Sequence, residues 1–283
     1  MARPKGRWAA GLCALCALSL PLGRSAHLSA QQVAPNRASA YLFPTEVQDA
    51  RAIWVNPAGL GVLREASIYG ELLVGDPGSA GQLRQINAGF NARGLSVAYQ
   101  RDNLDDDVNG HTLRLGLAGG SGGLAAGFAV ALYRGTNAHS TGWDVGFTYV
   151  PHPKLSVGLV GANIGQPVVR GLQQVMTYVP GLTWRTPVQG LSFSADSRIT
   201  TDSVASFAFG LSWRAAGSGR WPLELMTRLD TDGDFRRGAF VFGLSLGAQD
   251  RFGAIGTTPG DASRVDGVSV YGLASREQQV RQR

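Results

Sequence analysis

The run Leu124-Ala-Ala-Gly-Phe-Ala-Val-Ala-Leu132 alternates large and small side chains with a period of two. Successive side chains of a β-strand point to opposite faces, so Leu124, Phe128 and Leu132 would share one face of a strand. Ala125, Gly127, Ala129 and Ala131 would then form the other face. A helix would need apolar residues at every third or fourth position instead. The run therefore predicts a β-strand.

The same alternation recurs from Ser67 onward, as far as residue 273. Counting the runs that lie between glycine-, proline- and aspartate-rich turns predicts fourteen strands. They are placed near residues 67–74, 83–92, 95–101, 111–119, 123–133, 142–150, 154–163, 176–184, 190–199, 204–213, 222–229, 236–247, 252–257 and 265–273. Many approach the ~9–11 residues with which a tilted strand crosses a bilayer. Pro180 lies inside one run and is expected at a bulge or a strand break.

Charged residues lie on the face opposite the large apolar side chains. They are Arg114, Asp144, Asp196, Glu224 and Arg228. An arginine facing the bilayer midplane costs roughly 2–4 kcal/mol, so these side chains are expected to line a lumen. Aromatic residues recur near strand ends, as an interfacial girdle requires. The pattern predicts an all-β fold, a transmembrane antiparallel β-barrel of about fourteen strands. A soluble β-sandwich or propeller also alternates and remains the alternative.

The first 30 residues have the pattern of a secretory signal peptide. Basic Arg3, Lys5 and Arg7 precede an apolar run over residues 8–20, and the small residues before Gln31 predict cleavage after Ala30. The apolar run is shorter than the roughly 20 residues that a transmembrane helix needs. The chain is therefore expected to be exported.

Loss of this signal would change the composition of the exported chain. Both cysteines, Cys13 and Cys16, would be removed, which excludes a disulfide framework and a thiolate metal site. Of the 26 basic residues four would be lost, leaving 22 against 20 acidic residues and a net charge of +2 instead of +6. That balance gives no reason to expect a nucleic-acid partner.

A short stretch between the signal and the first strand reads as a helix followed by a stiff turn. Thr45-Glu-Val-Gln48 matches a capping box and predicts a short helix with Val47, Ala50 and Trp54 on one stripe. In the following run, residues 56–60, the asparagine can bond its own backbone, the proline presets the turn and the glycine relaxes its exit. The helix would therefore end before Pro57.

The run Asp49-Ala-x-Ala-x-x-x-Asn-Pro-Ala-Gly-Leu60, ahead of a barrel-like body, resembles the N-terminal signature of FadL-type outer-membrane proteins. The shorter PorV/PorQ-like barrels of that superfamily carry it too. The resemblance implies that residues 31–66 form a plug, or hatch, inside a barrel over residues 67–273, with a polar tail over residues 274–283. The plug motif would consist of Trp54, Asn56, Pro57, Ala58, Gly59 and Leu60. It also implies a place in the outer membrane of a Gram-negative cell.

Two functions are compatible with this resemblance. The first is passive transport of small hydrophobic solutes across the outer membrane, with outer-membrane lipid and a hydrophobic ligand as partners. The second is a non-conducting barrel that serves as an accessory or anchor for exported proteins. The chain lacks the long loops of the fatty-acid transporters, which moves it toward the PorV/PorQ-like barrels and makes the second function the alternative to the first.

No enzymatic or metal chemistry is predicted. Gly243-Leu-Ser-Leu-Gly247 matches a nucleophile elbow, but Ser245 would lie mid-strand, whereas an elbow requires a strained turn into a helix. Residues 230–234 resemble the start of a calcium loop, yet the closing glutamate is missing. No catalytic residue, metal ligand or cofactor is therefore expected.

Overall fold

The computed structural model describes residues 41–63, 65–75, 77–79, 81–103, 109–135, 138–169, 171–215 and 221–277. The predicted signal peptide, the first part of the predicted plug and the end of the predicted tail lie outside these residues. Within the described part of the chain, no helix is long and apolar enough to span a membrane.

The wall is a closed barrel of fourteen antiparallel strands, as the alternation predicts. The strands are β1 Glu65–Gly75, β2 Gln82–Ala92, β3 Leu95–Asn103, β4 Asn109–Ser121, β5 Leu124–Gly135, β6 Ala138–His152, β7 Leu155–Ile164, β10 Thr177–Arg185, β11 Leu191–Thr200, β12 Val204–Arg214, β13 Leu223–Asp232, β14 Arg237–Leu246, β15 Asp250–Pro259 and β16 Gly267–Glu277. Strands adjacent in sequence pair with each other, and β1 pairs with β16 to close the barrel. The strands β8 (Val168–Val169) and β9 (Leu172–Gln173) form a separate hairpin between β7 and β10.

Two details of the wall differ from the sequence prediction. The ladder between β1 and β16 runs from Glu65↔Glu277, so the wall extends beyond the predicted limits of 67 and 273, and residues 274–277 belong to a strand. Pro180 neither breaks β10 nor shifts its register. Toward β11 the paired residues pass from Tyr178↔Ile199 to Gly181↔Asp196, and Pro180 pairs with β7 instead. Proline has no N–H to donate, so the ladder is interrupted on one side only.

The large apolar side chains point outward, away from the lumen. In β5, Leu124 and Phe128 are 54% and 40% exposed, whereas Ala125, Ala129 and Ala131 are at most 3% exposed. The same division holds around the described wall, where Leu113, Leu115, Leu117, Trp143, Phe147, Phe209, Leu211, Phe242 and Leu244 are all exposed. In a sandwich these rows would meet in a dry core, so the sandwich alternative is wrong.

Residues 41–63 lie inside the barrel and contain two 3₁₀ turns, Ala50–Trp54 and Pro57–Gly61. The short helix predicted before Pro57 is present only as the 3₁₀ turn Ala50–Trp54, and its predicted start at Thr45 is wrong. The Thr45 hydroxyl lies 2.6 Å from that of Thr183 in β10, so it bonds the wall and caps no helix. Asp49 caps the first turn instead, and its Oδ1 accepts a hydrogen bond from the Arg51 N–H.

Both β1 and β16 reach the same end of the barrel, which we call the terminal end; the opposite end is the loop end. Three turns at the terminal end are very short, over residues 93–94, 122–123 and 153–154. The hairpin β8–β9 belongs to the loop end. Short turns at the end that carries the chain termini are the usual arrangement of outer-membrane barrels.

Candidate functional site

We call residues 41–63 the plug. Its corner, Asn56–Pro57, lies against two glycines that are cross-strand partners, Gly127 of β5 and Gly146 of β6. A Cβ on Gly127 would overlap the Pro57 carbonyl group, and one on Gly146 would overlap the Asn56 side chain. Glycine inside a strand commonly marks such a close approach of another segment. The backbone of the plug can therefore touch the wall directly.

Two further inward-facing glycines receive side chains of the plug. Gly210 of β12 lies under the Phe43 ring, and a Cβ on Gly116 of β4 would lie 3.0 Å from Leu60 and 3.2 Å from Ile53. We call Gly116, Gly127, Gly146 and Gly210 the glycine seat. It shapes the lumen to this plug, because a larger residue at any of the four positions would force the plug or the wall to move.

Arg114 of β4 fastens one side of the plug. Its Nη1 donates to the Ile53 carbonyl at 2.9 Å and to Asp144 Oδ2 of β6 at 2.5 Å. The guanidinium carbon lies 5.1 Å from the centre of the Trp54 ring, within cation–π range. The other Asp144 oxygen accepts a 2.8 Å hydrogen bond from the Asn163 N–H. One buried arginine thus binds a plug carbonyl and a plug aromatic ring, and one wall carboxylate balances its charge.

Arg228 of β13 does the same on another side. Its Nη1 donates to the Leu42 carbonyl at 2.8 Å, and its guanidinium carbon lies 4.6 Å from the centre of the Phe43 ring. Two wall carboxylates stand beside it: Asp230 accepts from Nε at 2.8 Å and Asp196 from Nη1 at 3.3 Å. We call these two arrangements the Arg114 clamp and the Arg228 clamp.

Asn56 ties the plug together and joins it to the wall. It is fully buried, and its Nδ2 donates to the Pro44 carbonyl and to Thr148 Oγ1 of β6, each at 2.9 Å. Its Oδ1 accepts a 3.1 Å bond from the Ala58 N–H, as the turn prediction requires. Leucine or alanine could not make these three bonds.

The remaining side of the plug meets β1 and β16. Trp54 Nε1 donates to the Tyr69 hydroxyl, and the Ala50 N–H donates to Ser67 Oγ at 2.9 Å. Asp49 and Arg51 form a buried ion pair of 2.7 Å within the plug. Burial acts to raise the pKa of the Asp49 carboxyl, but the charge and hydrogen bonds of Arg51 outweigh it and hold that pKa below its ordinary value.

The structure brings most of the predicted site residues together. Arg114 pairs with Asp144 and Arg228 with Asp196, each pair buried beside the plug. Ala58 and Leu60 are fully buried in the plug, and Gly59 packs so closely on Val47 that a Cβ would overlap the Val47 carbonyl. Glu224 is different, because it lies at the terminal end and pairs with Arg214 at 2.7 Å, away from the plug motif.

The sequence did not predict three further features of the lumen. They are the glycine seat, the Asp230 carboxylate beside Arg228, and the hairpin β8–β9, which folds over the inner face at the loop end. Its Val168 N–H donates to Ser140 Oγ at 2.9 Å, and buried Pro167 packs 2.7 Å from where a Gly142 Cβ would lie. Gly165-Gln166 before β8 and Gly171 before β9 were the available turn signal, but strands of two residues carry no periodicity.

A cavity of about 470 Å³ lies between the plug and the terminal end of the wall. Apolar side chains such as Phe43, Met226 and Tyr271 line it together with the carboxyl of Glu46. Burial raises the pKa of Glu46, although hydrogen bonds from Ser194 and Ser192 act in the opposite direction. The cavity offers a partly apolar space directly beside the plug.

Ser245 does not form a nucleophile elbow. It lies within β14, with its side chain buried in the wall and no helix after it. Asp230 likewise belongs to β13 and balances Arg228 rather than opening a calcium loop.

No protein-family model matches the chain, and no curated protein matches it in sequence. Among solved structures, the toluene transporter TbuX of Ralstonia pickettii superposes with a TM-score of 0.57 at 12% identity, covering 86% of this chain and 98% of that one. The chain has the fold of an outer-membrane transport barrel. A FadL homologue of Pseudomonas aeruginosa gives a TM-score of 0.47 at 10% identity, covering 85% of this chain and 96% of that one. The superposition on TbuX confirms the predicted outer-membrane barrel at the level of the fold.

Proposed function

We propose that the protein lets small hydrophobic solutes cross the outer membrane, with the plug as the element that opens and closes the lumen. The apolar outer face supports a place in a bilayer. The toluene transporter with the same fold supports a hydrophobic solute. The cavity beside the plug gives such a solute a partly apolar place at the terminal end.

The observation that carries this proposal is how the plug is attached. Among the described residues, the backbone–backbone hydrogen bonds of the plug all stay within the plug, such as Asn56 N–H to the Ala52 carbonyl and Gly59 N–H to the Asn56 carbonyl. The wall holds it through side chains and packing alone. The plug can therefore shift without breaking a β-ladder, and the fourteen strands close the barrel independently of it.

The glycine seat provides the test. In Gly127→Ala the new methyl group collides with the Pro57 backbone, so we expect the plug to be displaced while the barrel still forms. Gly110 is a matched control, because it also faces the lumen and a Cβ there has no contact shorter than 3.7 Å. Both variants are reconstituted in planar bilayers and in liposomes.

We expect wild-type liposomes to take up toluene faster than empty liposomes. Gly127→Ala should raise ion conductance well above wild type, and Gly110→Ala should leave it unchanged. If wild type and Gly127→Ala both take up toluene no faster than empty liposomes, the transport proposal is wrong.

One observation favours a second function, the non-conducting accessory barrel for exported proteins. Two buried arginine clamps and the Asn56 bonds fasten the plug from several strands at once, as suits a permanent seal. Cross-linking on intact cells separates the two proposals. If an exported protein is recovered and Gly127→Ala conducts no ions, the second function is established. If Gly127→Ala conducts ions and no exported protein is recovered, the second function is excluded.

A further inference from the structure

Polar side chains form a row across the inner face of β1 to β4, next to the plug. Glu71 pairs with Asn87, Asn87 with Gln100, and Gln100 with Thr112 along the strand registers. All four are at most 4% exposed. The row lies two residues closer to the loop end than Tyr69, whose hydroxyl accepts from Trp54. Asp102 and Gln85 lie in the next row, as another cross-strand pair.

Hydrogen bonds fix the orientation of the three amides in this cluster. The Asp102 carboxylate accepts from Gln85 Nε2 at 2.6 Å and from Gln100 Nε2 at 2.9 Å. A carboxylate only accepts, so the amide nitrogens of both glutamines must face it. Gln85 Oε1 in turn accepts from Asn87 Nδ2 at 3.4 Å, which orients the asparagine as well.

This orientation leaves two carbonyl oxygens pointing elsewhere. Asn87 Oδ1 and Gln100 Oε1 are buried and accept no hydrogen bond from any described residue. They stand on adjacent strands, on directly paired residues. The carboxyl of Glu71, paired with Asn87 on the other side, is buried too and accepts from Ser269 Oγ at 2.8 Å. A buried acceptor without a donor costs roughly 1–3 kcal/mol, and a buried carboxylate costs more.

We propose that this cluster binds a hard metal cation, with Ca²⁺ as the ion it fits. Asn87, Gln100 and Glu71 supply two amide oxygens and a carboxylate, which are Ca²⁺ ligands in an irregular geometry, and water would complete the shell. Mg²⁺ demands near-ideal octahedral geometry and is disfavoured. Asp102 acts as a positioning residue, because it aims the Gln100 carbonyl at the ion.

Two of the three proposed ligands are amides, which the sequence alone does not mark as metal ligands. Within the described residues, no group of three His, Cys, Asp or Glu side chains is placed to hold a metal ion. The ion would balance the carboxylate of Glu71 and satisfy both orphaned oxygens. The proposal does not depend on what crosses the barrel.

Terbium luminescence tests the proposal on the full-length protein in detergent, after EDTA treatment and dialysis. Tb³⁺ replaces Ca²⁺ at oxygen sites and is excited through nearby aromatic rings, here Tyr69 and Trp54. We expect a saturable signal that Ca²⁺ displaces at lower concentration than Mg²⁺. Asn87→Leu, which removes one oxygen, should reduce the signal by at least about tenfold.

Three further variants separate binding from misfolding. Asn87→Asp keeps an oxygen and adds a charge, so it should bind at least as tightly as wild type. Asp102→Asn should weaken binding by about 10–100-fold, as loss of an orienting partner does. Gln173→Leu, on the exposed hairpin, is the control and should behave as wild type. A heat-dependent shift in gel mobility verifies folding of each.

Two outcomes would overturn the proposal. One is a folded wild type without saturable Tb³⁺ binding, which would mean that water alone satisfies the cluster. The other is an unchanged signal in folded Asn87→Leu, which would place the ion elsewhere.

Discussion

The Arg114 clamp and the Arg228 clamp use the same chemistry but differ in the charges around the arginine. Each arginine binds a plug carbonyl and packs on a plug aromatic ring. Arg114 is balanced by Asp144, whose second oxygen is already engaged by the Asn163 N–H. Arg228 stands between Asp196 and Asp230. A second cation, Arg198, lies within electrostatic range of the same two carboxylates.

Because of this difference, we expect replacement of the arginine to lower the free energy of unfolding by different amounts in the two clamps. A buried ion pair contributes little net stability, but removing one partner leaves an uncompensated charge and costs far more. Loss of Arg114 leaves the buried Asp144 without a cation. Loss of Arg228 leaves Asp196 and Asp230 with one cation, Arg198, and the Asp230 side chain is 30% exposed, so water can solvate the remaining charge.

Arg114→Met should therefore have the largest effect. We expect the free energy of unfolding to fall by about 3–5 kcal/mol, because Asp144 is left charged and buried. Urea titration of the protein in detergent micelles, followed by tryptophan fluorescence, measures the change. The double variant Arg114→Met/Asp144→Leu should recover most of the loss, since it removes the stranded charge as well.

Arg228→Met should cost less, about 1–3 kcal/mol, mainly because the partly buried Leu42 carbonyl loses its donor. The same urea titration applies. Arg214→Ala at the half-exposed pair with Glu224 is the control and should change stability by less than about 1 kcal/mol. Equal losses in Arg114→Met and Arg228→Met would contradict the role given to Arg198.

The smallest effect concerns pH, on the side of the plug that faces β11. Burial raises the pKa of Glu46, so the native state holds its proton more tightly than the unfolded state. Stability from this group is complete below the unfolded pKa and is lost as the pH rises through the higher folded pKa. Mild acidification should thus tighten the plug, measured as slower proteolysis of residues 41–63. Glu46→Gln should remove this pH dependence. If the pH dependence of proteolysis persists in Glu46→Gln, another titratable group causes it.

The strands were predictable because the two faces of each strand meet different surroundings, the apolar outside and the lumen. Large apolar residues therefore alternate with small or polar ones along the strand. Runs such as residues 124–132 contain all the information needed to place large residues outside and small ones inside. The lumen position of Arg114, Asp144, Asp196 and Arg228 followed from the cost of a charge in hydrocarbon. Asn56 was predicted as a turn residue for the same local reason.

Contacts between distant parts of the chain could not be predicted in this way. Gly127 looks the same in the sequence whether its inner face meets water or the Pro57 backbone. The partner of Arg114 in the plug is 61 residues away, and that of Arg228 is 186 residues away. The capping box at Thr45 failed for a similar reason, because its hydroxyl bonds Thr183 across the lumen instead of a helix.

The separation of these contacts along the chain also sets an order of assembly. The plug precedes every strand in sequence, yet most of its anchoring partners lie beyond β1, on strands such as β4, β5, β6, β10, β12 and β13. The segment that is synthesised first can therefore reach its final place only after most of the wall exists. Until then its apolar side chains that end up buried, such as Phe43, Ile53 and Leu60, have no wall to pack against.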